Sequence, residues 1–188
     1  AAADIAGDLT AIPDHSRFSI TPGVSYRAPD GSYDVMRGEE VQIFGALELA
    51  KQQDATLCLP GTHSKWAYVE GGVLTKFYTS MTGEVYAILK SHSILGALMG
   101  DDAGDDAAFE KGLSRSGAAG GLLHHLFSTR TNGLFSRISP DGLPSYMSGI
   151  LIGHELRNCA PVDPDKPVLL VSQGVLGERY TSALKYFG

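Results

Sequence analysis

The chain has 188 residues, 43% of them hydrophobic, so it is long and apolar enough to bury a sizeable core. Its 15 lysines and arginines against 21 aspartates and glutamates give a formal net charge of -6, without a basic run. This balance disfavours a nucleic-acid partner. The longest apolar runs are far below the roughly 18 residues that a membrane span needs, so we expect a soluble protein with no membrane partner.

The cysteines and the two ends of the chain give expectations about the cellular compartment and about whether the sequence is part of a longer protein. Cys58 and Cys159 lie in apolar or helix-patterned runs and form no Cys-x-x-Cys pair, so we expect reduced, buried thiols. The N-terminal residues 1–4 lack the charged and apolar regions of a secretion signal, which favours a cytoplasmic protein. A start inside an alanine run and an end just after a helical pattern predict a segment of a longer protein.

The first half of the chain begins with turn formers and continues with a helix. Residues 1–35 contain one short alternating strand, 17–20, and are typical of the edge of a domain. From Glu39, apolar residues recur every three or four positions, which predicts a helix that ends near residues 53–54. Glu39 and Glu40 would lie in its first turn, either as partners of the helix dipole or as a carboxylate that accepts a proton from an attacking alcohol.

A short strand and a loop of small polar residues follow this helix. Residues 55–59 predict a buried strand, and 61–65 predict a loop that contains hydroxyls, a lysine and free backbone N–H groups. Such groups suit the oxygens of a phosphate chain. Residues 66–69 and 73–78 then predict a hairpin, and we expect all three strands to share one sheet with residues 167–171.

The second half of the chain is largely helix-patterned. The aspartate-rich residues 101–106 have no glycine at the sixth position of a calcium loop, and Gly112 stands where its glutamate belongs, so we interpret them as a solvated loop and helix cap. His154 lies on an apolar face and is interpreted as a core histidine, while the adjacent His124 and His125 diverge and do not form a joint metal site. The helical patterns run through residues 84–98, 109–114, 122–135 and 146–158.

A second loop of interest follows the apolar residues 167–171, which are typical of a strand covered on both faces. We predict a glycine-containing loop at residues 172–177 and a helix at 178–187. A strand, a loop and a helix N-terminus in this order form a second place where a nucleotide could dock.

Four motifs carry a resemblance to a known family, and it extends over essentially the whole chain. They are Asp34-Val35-Met36-Arg37-Gly38-Glu39-Glu40, Leu59-Pro60-Gly61-Thr62-His63-Ser64-Lys65-Trp66, Met81-Thr82-Gly83-Glu84 and Ser148-Gly149-Ile150-Leu151-Ile152-Gly153. Through them the chain resembles the 2-dehydro-3-deoxygalactonokinase family of the actin-like ATPase superfamily of sugar kinases. The first two motifs are long enough to be specific.

The resemblance implies an activity and a fold. The activity is transfer of the ATP γ-phosphate to the 6-hydroxyl of 2-dehydro-3-deoxy-D-galactonate in galactonate catabolism, with ATP, Mg²⁺ and the sugar acid as partners. The fold is a ribonuclease-H-like α/β fold, a mixed sheet flanked by helices with a helical insertion. Residues 1–50 would end the first domain and add a linking helix, and residues 51–188 would form most of the second, ATP-binding domain.

The resemblance also implies roles for individual residues. Related kinases carry a Gly-Asp pair where this chain has Gly38-Glu39, so Glu39 or Glu40 would be the catalytic base, and the choice stays open. Arg37, beside them in sequence, is the candidate for the substrate carboxylate, unless it pairs with Glu40. The phosphate-binding candidates are Gly61, Thr62, His63, Ser64 and Lys65. The nucleotide-binding candidates are Ser172, Gln173, Gly174, Leu176 and Gly177.

Two other function classes stay open on sequence grounds. Such kinases begin with an Asp-x-Gly-(Ser/Thr)-Thr phosphate loop, which this chain lacks, so we expect the chain alone to be inactive. It could then be a non-catalytic nucleotide- or sugar-acid-binding segment whose loops are structural turns. It could also be a phosphatase of the same fold that uses water as the acceptor. The metal ligands and the oligomeric state are not fixed by the sequence, which allows a homo-oligomer.

Overall fold

The computed structural model of the chain describes residues 1–13, 15–101, 104–160 and 166–188. These residues form two compact units. Unit 1 comprises Ala1–Pro60, Ser64–Thr79 and residues 166–172. Unit 2 comprises Gly61–His63, Ser80–Ala160 and Gln173–Gly188. The bounds of these units differ from the division at residue 50 that the sequence analysis gave, and that domain assignment stays a prediction.

The N-terminal part of unit 1 is a set of short elements. Only one of its strands, β2, was predicted from sequence, because the others are three or four residues long and largely exposed. The elements are α1 (Ala2–Gly7), the antiparallel pair β1 (Thr10–Ile12) and β2 (His15–Ile20), the antiparallel pair β3 (Val24–Arg27) and β4 (Tyr33–Met36), and α2 (Glu39–Ala50).

A mixed four-stranded sheet completes unit 1. Its strands are β5 (Ala55–Leu59), β6 (Ser64–Glu70), β7 (Val73–Ser80) and β8 (Val168–Leu170), in the order β7-β6-β5-β8. Leu57 of β5 pairs with Ala67 of antiparallel β6 and with Leu169 of parallel β8. The prediction that these segments share one sheet is confirmed. All five residues of β5 are buried, as expected for a strand with neighbours on both sides.

The core of unit 1 fixes the position of α2. Ile43 and Leu47 on its buried face join Leu57, Ala67 and Phe77 of the sheet in one hydrophobic cluster. Each such side chain contributes about 1.5 to 3 kcal/mol when it is fully buried. The helix that begins with the two candidate glutamates is therefore anchored to the central sheet by its fifth and ninth residues, Ile43 and Leu47.

Unit 2 is helical. It contains α3 (Thr82–His92), α4 (Asp106–Ser116), α5 (Gly121–Leu134), α6 (Leu143–Cys159) and α7 (Gly174–Phe187), with 3₁₀ turns at Gly96–Leu98 and Pro140–Gly142. In α6, 14 of the 17 residues are buried, so this helix forms the centre of the unit. Within the described part of the chain, every helix is too short or too polar to cross a bilayer.

Several element bounds differ from the sequence-based prediction. The helix α2 ends at Ala50 because Lys51 takes a left-handed conformation, with φ of 53°. The helix α3 ends at His92, and residues 96–98 form a separate 3₁₀ turn. Ser64 and Lys65 were assigned to a loop, which is wrong: β6 begins at Ser64, and Lys65 pairs with Leu59.

A further difference concerns the second predicted loop. Helix α7 begins at Gly174, so residues 174–177 form its first turn and are not part of a loop. The connection from β8 to α7 is correspondingly short, at residues 171–173.

Two glycines allow α4 and α6 to pack closely. A Cβ added to Gly149 of α6 would lie 2.2 Å from the carbonyl oxygen of Phe109, and one added to Gly112 of α4 would lie 2.2 Å from that of Tyr146. Real Cβ atoms do not approach so closely, so the two backbones meet where both side chains are absent. Gly149 belongs to the 148–153 motif, which therefore has a packing function.

Replacement of glycine by alanine should have opposite effects on stability at two helical sites. Gly149→Ala should lower the free energy of unfolding by about 1 to 3 kcal/mol, because backbone atoms must move apart. The matched control is Gly45→Ala in α2, where the added Cβ would meet nothing within 4 Å. That change should raise stability by about 0.5 to 1 kcal/mol. Urea denaturation followed by circular dichroism measures both, and equal effects would contradict this packing.

Candidate functional site

The two candidate catalytic glutamates begin α2 behind a turn that requires glycine. Gly38 has φ of 106°, a backbone conformation that residues with a side chain rarely adopt. The Glu39 carboxylate accepts a hydrogen bond from the backbone N–H of Arg37 at 3.0 Å, and the Glu40 carboxylate accepts one from Gly38 at 2.6 Å. Both carboxylates therefore stabilise the turn before the helix.

The environments of these glutamates differ. Glu39 is half-buried, whereas the side chain of Glu40 is fully buried. The second carboxylate oxygen of Glu40, Oε1, has no hydrogen-bond partner among the described residues. An unpaired buried carboxylate oxygen costs free energy, so a donor at this position would be strongly favoured. Burial thus separates two residues that the sequence could not distinguish.

Lys65 makes structural contacts within unit 1. Its side chain is buried, and its Nζ donates to the carbonyl oxygen of Val35 at 3.2 Å and to Oγ1 of Thr79 at 2.8 Å. The backbone N–H of Thr79 donates to Asp34 at 2.6 Å. Lys65 therefore links β4 to β6 and β7, and its predicted contact with phosphate stays a prediction.

Arg37, the candidate for the substrate carboxylate, is exposed. No ion pair within 4.0 Å joins its guanidinium to Glu40 in the described part of the chain. The alternative interpretation, in which Arg37 serves only to pair with Glu40, has no support in the geometry.

Unit 2 contains a cavity of about 250 Å³, which is slightly below the roughly 300 to 1,000 Å³ of typical ligand pockets. It brings together parts of three of the four sequence motifs and the start of α7. Its lining residues are Gly61, Thr82, Gly83, Tyr86, Ser148, Leu151, Ile152, Val175, Leu176, Arg179 and Tyr180.

The first loop is held against the start of α3. The backbone N–H of Glu84 donates to the carbonyl oxygen of Thr62 at 3.0 Å, and the side chains of His63 and Glu84 form an exposed hydrogen bond at 2.5 Å. A Cβ at Gly83 would lie 2.4 Å from the carbonyl oxygen of Gly61, so only glycine fits there. The close approach of Gly61 therefore explains why the Met81–Glu84 motif contains a glycine.

Two helix N-termini line this cavity, those of α3 and α7. Neither has a side-chain cap among the described residues. The first N–H groups of a helix lack partners within the helix, and the helix dipole gives this end a partial positive charge. With Arg179 also in the lining, the polar part of the cavity suits an anion, and Leu151, Ile152 and Leu176 provide an apolar wall.

A buried carboxylate joins the two helices beside the cavity. Glu155 of α6 accepts hydrogen bonds from the hydroxyl of Thr82, at the start of α3, and from that of Tyr180 in α7, the latter at 2.7 Å. Glu155 and Tyr180 are buried. Arg179 donates to Ser145 of α6 at 3.0 Å. Sequence reasoning did not identify Glu155, Arg179 or Tyr180 as site residues, and the threonine of the Met81–Glu84 motif was the nearest available signal.

Only some of the predicted phosphate-binding and nucleotide-binding residues line the cavity. Gly61 and Leu176 line it, whereas Thr62 and His63 contact the start of α3 from outside the lining. The other nucleotide candidates are Ser172, Gln173, Gly174 and Gly177, which precede or share the first turn of α7.

The remaining titratable candidates in unit 2 have structural partners. His154 lies 2.8 Å from His125, which donates to the carbonyl oxygen of Ala119. His154 therefore has a partner, as predicted, but it is half-buried and not a core residue. Burial, together with the charges of His125 and Arg157, lowers the pKa of His154. No group of three or more metal-ligating side chains occurs among the described residues.

The aspartate-rich segment and the cysteines behave as predicted where the structure describes them. Asp105 caps α4 by accepting a hydrogen bond from Ala108, whereas Asp102 lies outside the described residues. Cys58 and Cys159 are both buried and reduced. Burial raises the pKa of the Cys159 thiol, so it is less reactive than an exposed cysteine.

Removing the carboxylate of Glu155 should destabilise unit 2. In Glu155→Leu two hydroxyls lose their common acceptor, and an unsatisfied buried hydroxyl costs about 1 to 3 kcal/mol. Glu178→Leu, on an exposed site of α7, is the control and should stay within about 0.5 kcal/mol of the parent. Tyr180→Phe should cost less in the Glu155→Leu background than alone. Additive effects in denaturation experiments would contradict the shared hydrogen bond.

Comparisons with known proteins identify the family. A family model described as 2-keto-3-deoxy-galactonokinase matches residues 1–188. The 2-dehydro-3-deoxygalactonokinase of Escherichia coli (strain K12) is 32% identical over 185 residues, which is 98% of this chain and 62% of the relative. "Probable 2-dehydro-3-deoxygalactonokinase DgoK1" of Rhizobium meliloti (strain 1021) is 37% identical over 195 residues, all of this chain and 63% of the relative.

A solved structure agrees with these relatives. The crystal structure of a protein from Sinorhizobium meliloti that carries the name 2-dehydro-3-deoxygalactonokinase matches with a TM-score of 0.86 and 37% identity. The match covers all of this chain and 64% of the other. The chain thus spans less than two thirds of the length of these relatives. It belongs to the 2-keto-3-deoxy-galactonokinase family.

Proposed function

We propose that the complete protein containing this chain transfers the γ-phosphate of ATP to the 6-hydroxyl of 2-dehydro-3-deoxy-D-galactonate. The observation that carries the proposal is the cavity of unit 2, whose lining combines Gly61, the first residues of two helices and Arg179 with an apolar wall. The names of the relatives supply the sugar acid. A kinase that uses ATP in sugar-acid catabolism would act in the cytoplasm.

In this proposal the cavity holds part of the nucleotide. The N–H groups at the starts of α3 and α7 and the backbone at Gly61 would bind phosphate oxygens. The apolar side chains of Leu151, Ile152 and Leu176 would contact the base or the ribose. The sheet order β7-β6-β5-β8, with β8 parallel to β5 after three antiparallel strands, supports a ribonuclease-H-like fold for this part of the kinase.

The nucleotide would bring Mg²⁺ with it. The ion is usually bound by one or two carboxylates and by the phosphates of the nucleotide, and its charge offsets that of the phosphates. The described residues contain single carboxylates, such as Glu39, and no group of three or more metal-ligating side chains. This donor set fits an ion held mainly by phosphate oxygens, and we assign no residue as its ligand.

We assign the role of base to Glu39 and a structural role to Glu40. A general base must come within hydrogen-bond reach of the substrate hydroxyl. Glu39 is half-buried and therefore accessible from outside, whereas Glu40 is fully buried and held by the N–H of Gly38. Arg37, exposed and two residues before Glu39, would bind the substrate carboxylate through its planar guanidinium.

The assay of the complete protein with ATP and the sugar acid tests this assignment. Glu39→Gln should lower kcat by roughly 10²- to 10⁴-fold and leave the affinity for ATP unchanged, because only proton acceptance is lost. Glu40→Gln is the matched control. It should keep kcat within about threefold of the parent, since this carboxylate does not meet the substrate.

Four outcomes would contradict different parts of the proposal. Loss of turnover in Glu40→Gln but not in Glu39→Gln would move the base by one residue. Normal turnover in both variants would remove the base from α2. Release of free phosphate from ATP that does not depend on the sugar acid would support a phosphatase, and nucleotide binding without any turnover would support a non-catalytic segment.

A further inference from the structure

Unit 2 contains a second cavity, of about 460 Å³, that the proposed function does not use. It lies among α4, α5, the segment after α5 and α6, and it shares no lining residue with the first cavity. Six of its lining residues carry polar groups: Lys111, Ser114, Arg115, Asn132, Arg137 and Tyr146.

Three of these residues are cations, and no aspartate or glutamate lines the cavity. This concentration of positive charge stands out in a chain whose formal net charge is -6. Among the described residues, none of Lys111, Arg115 and Arg137 forms an ion pair within 4.0 Å. Like charges that share a concave surface repel one another, so their proximity is unfavourable until an anion neutralises them.

The side chain of Arg115 contains a donor that lacks an acceptor. Its Nε is buried and has no hydrogen-bond partner among the described residues. A buried guanidinium nitrogen without an acceptor costs more free energy than a neutral group would, and such atoms are rare in folded proteins. Arg115 is one of the lining residues of the cavity, so an anion bound there would lie next to a residue whose side chain has an unsatisfied donor.

We propose that this cavity binds a small anion that carries a phosphate group. A phosphate monoester has a charge of about −1.5 to −2 near neutral pH, which offsets three cations better than a single carboxylate does. The fork of an arginine matches two phosphate oxygens, and a lysine adds a point charge. The Ser114 hydroxyl and the Asn132 amide supply further donors at the same surface.

Calorimetric titration of the complete protein with inorganic phosphate tests this proposal, and a sugar monophosphate serves as a second titrant. A non-hydrolysable ATP analogue is present at saturation, so the proposed nucleotide site is filled. Binding should persist under this condition. The titrant that binds more tightly shows whether the natural ligand is free phosphate or a phosphate ester.

Charge-neutralising variants locate the binding. Arg115→Gln and Arg137→Gln should each weaken binding by roughly tenfold to a hundredfold, because each removes charge-assisted hydrogen bonds. Arg130→Gln removes the same charge from α5 at a residue outside the lining and should leave affinity unchanged. In phosphate-free buffer, Arg115→Gln should melt no lower than the parent, since it removes an unsatisfied buried group. The rise in Tm that phosphate gives the parent should be reduced in this variant.

Two results would overturn the site. One is binding that disappears once the ATP analogue is present, which would assign all phosphate affinity to the first cavity. The other is an unchanged affinity in Arg137→Gln and in Lys111→Gln, whose side chains are exposed and whose loss does not endanger folding. Because the titration does not depend on turnover, a failed kinase assay would leave its outcome intact.

Discussion

A single buried carboxylate, that of Glu155, determines how the cavity of unit 2 is built. A buried carboxyl group needs hydrogen-bond partners, and here the donors are the hydroxyls of Thr82 and Tyr180, which belong to the helices α3 and α7. The N-termini of these helices line the cavity, and α6, which carries Glu155, is buried along most of its length. The need to satisfy this carboxylate therefore brings two positive helix ends to one place, which is what an anionic ligand requires.

Close packing explains several motif residues that the sequence alone would assign to ligand binding. Gly149 belongs to a family motif, yet its contact is with the backbone of α4, where a Cβ would collide. Gly83 likewise leaves room for the carbonyl oxygen of Gly61. Lys65 holds β4 to the sheet through Val35 and Thr79. The motifs of this chain thus combine residues that shape the site with residues that could touch a ligand, and unit 1 and unit 2 each contain both kinds.

The sequence predicted what depends on local periodicity and missed what depends on distant partners. The buried strand at 55–59 and the helix around 146–158 have apolar patterns of their own, so they were found. Ser64 and Lys65 look like loop residues because polar side chains are rare in buried strands, and the partners that satisfy Lys65 lie 14 and 30 residues away. Glu155 has partners 25 and 73 residues away, so no local pattern marks it. Glu39 and Glu40 also differ in burial. Because they are adjacent at the start of one helix, the sequence does not show which of the two is buried.

The central claim is that the cavity bounded by α3, α6 and α7 is where the nucleotide binds. A crystal structure of the complete protein with a non-hydrolysable ATP analogue tests this claim most directly. The account predicts phosphate oxygens within hydrogen-bond distance of the backbone N–H groups at the starts of α3 and α7, with the base or the ribose against Leu176. An analogue bound with Thr82, Gly83 and Leu176 all outside contact distance would contradict it.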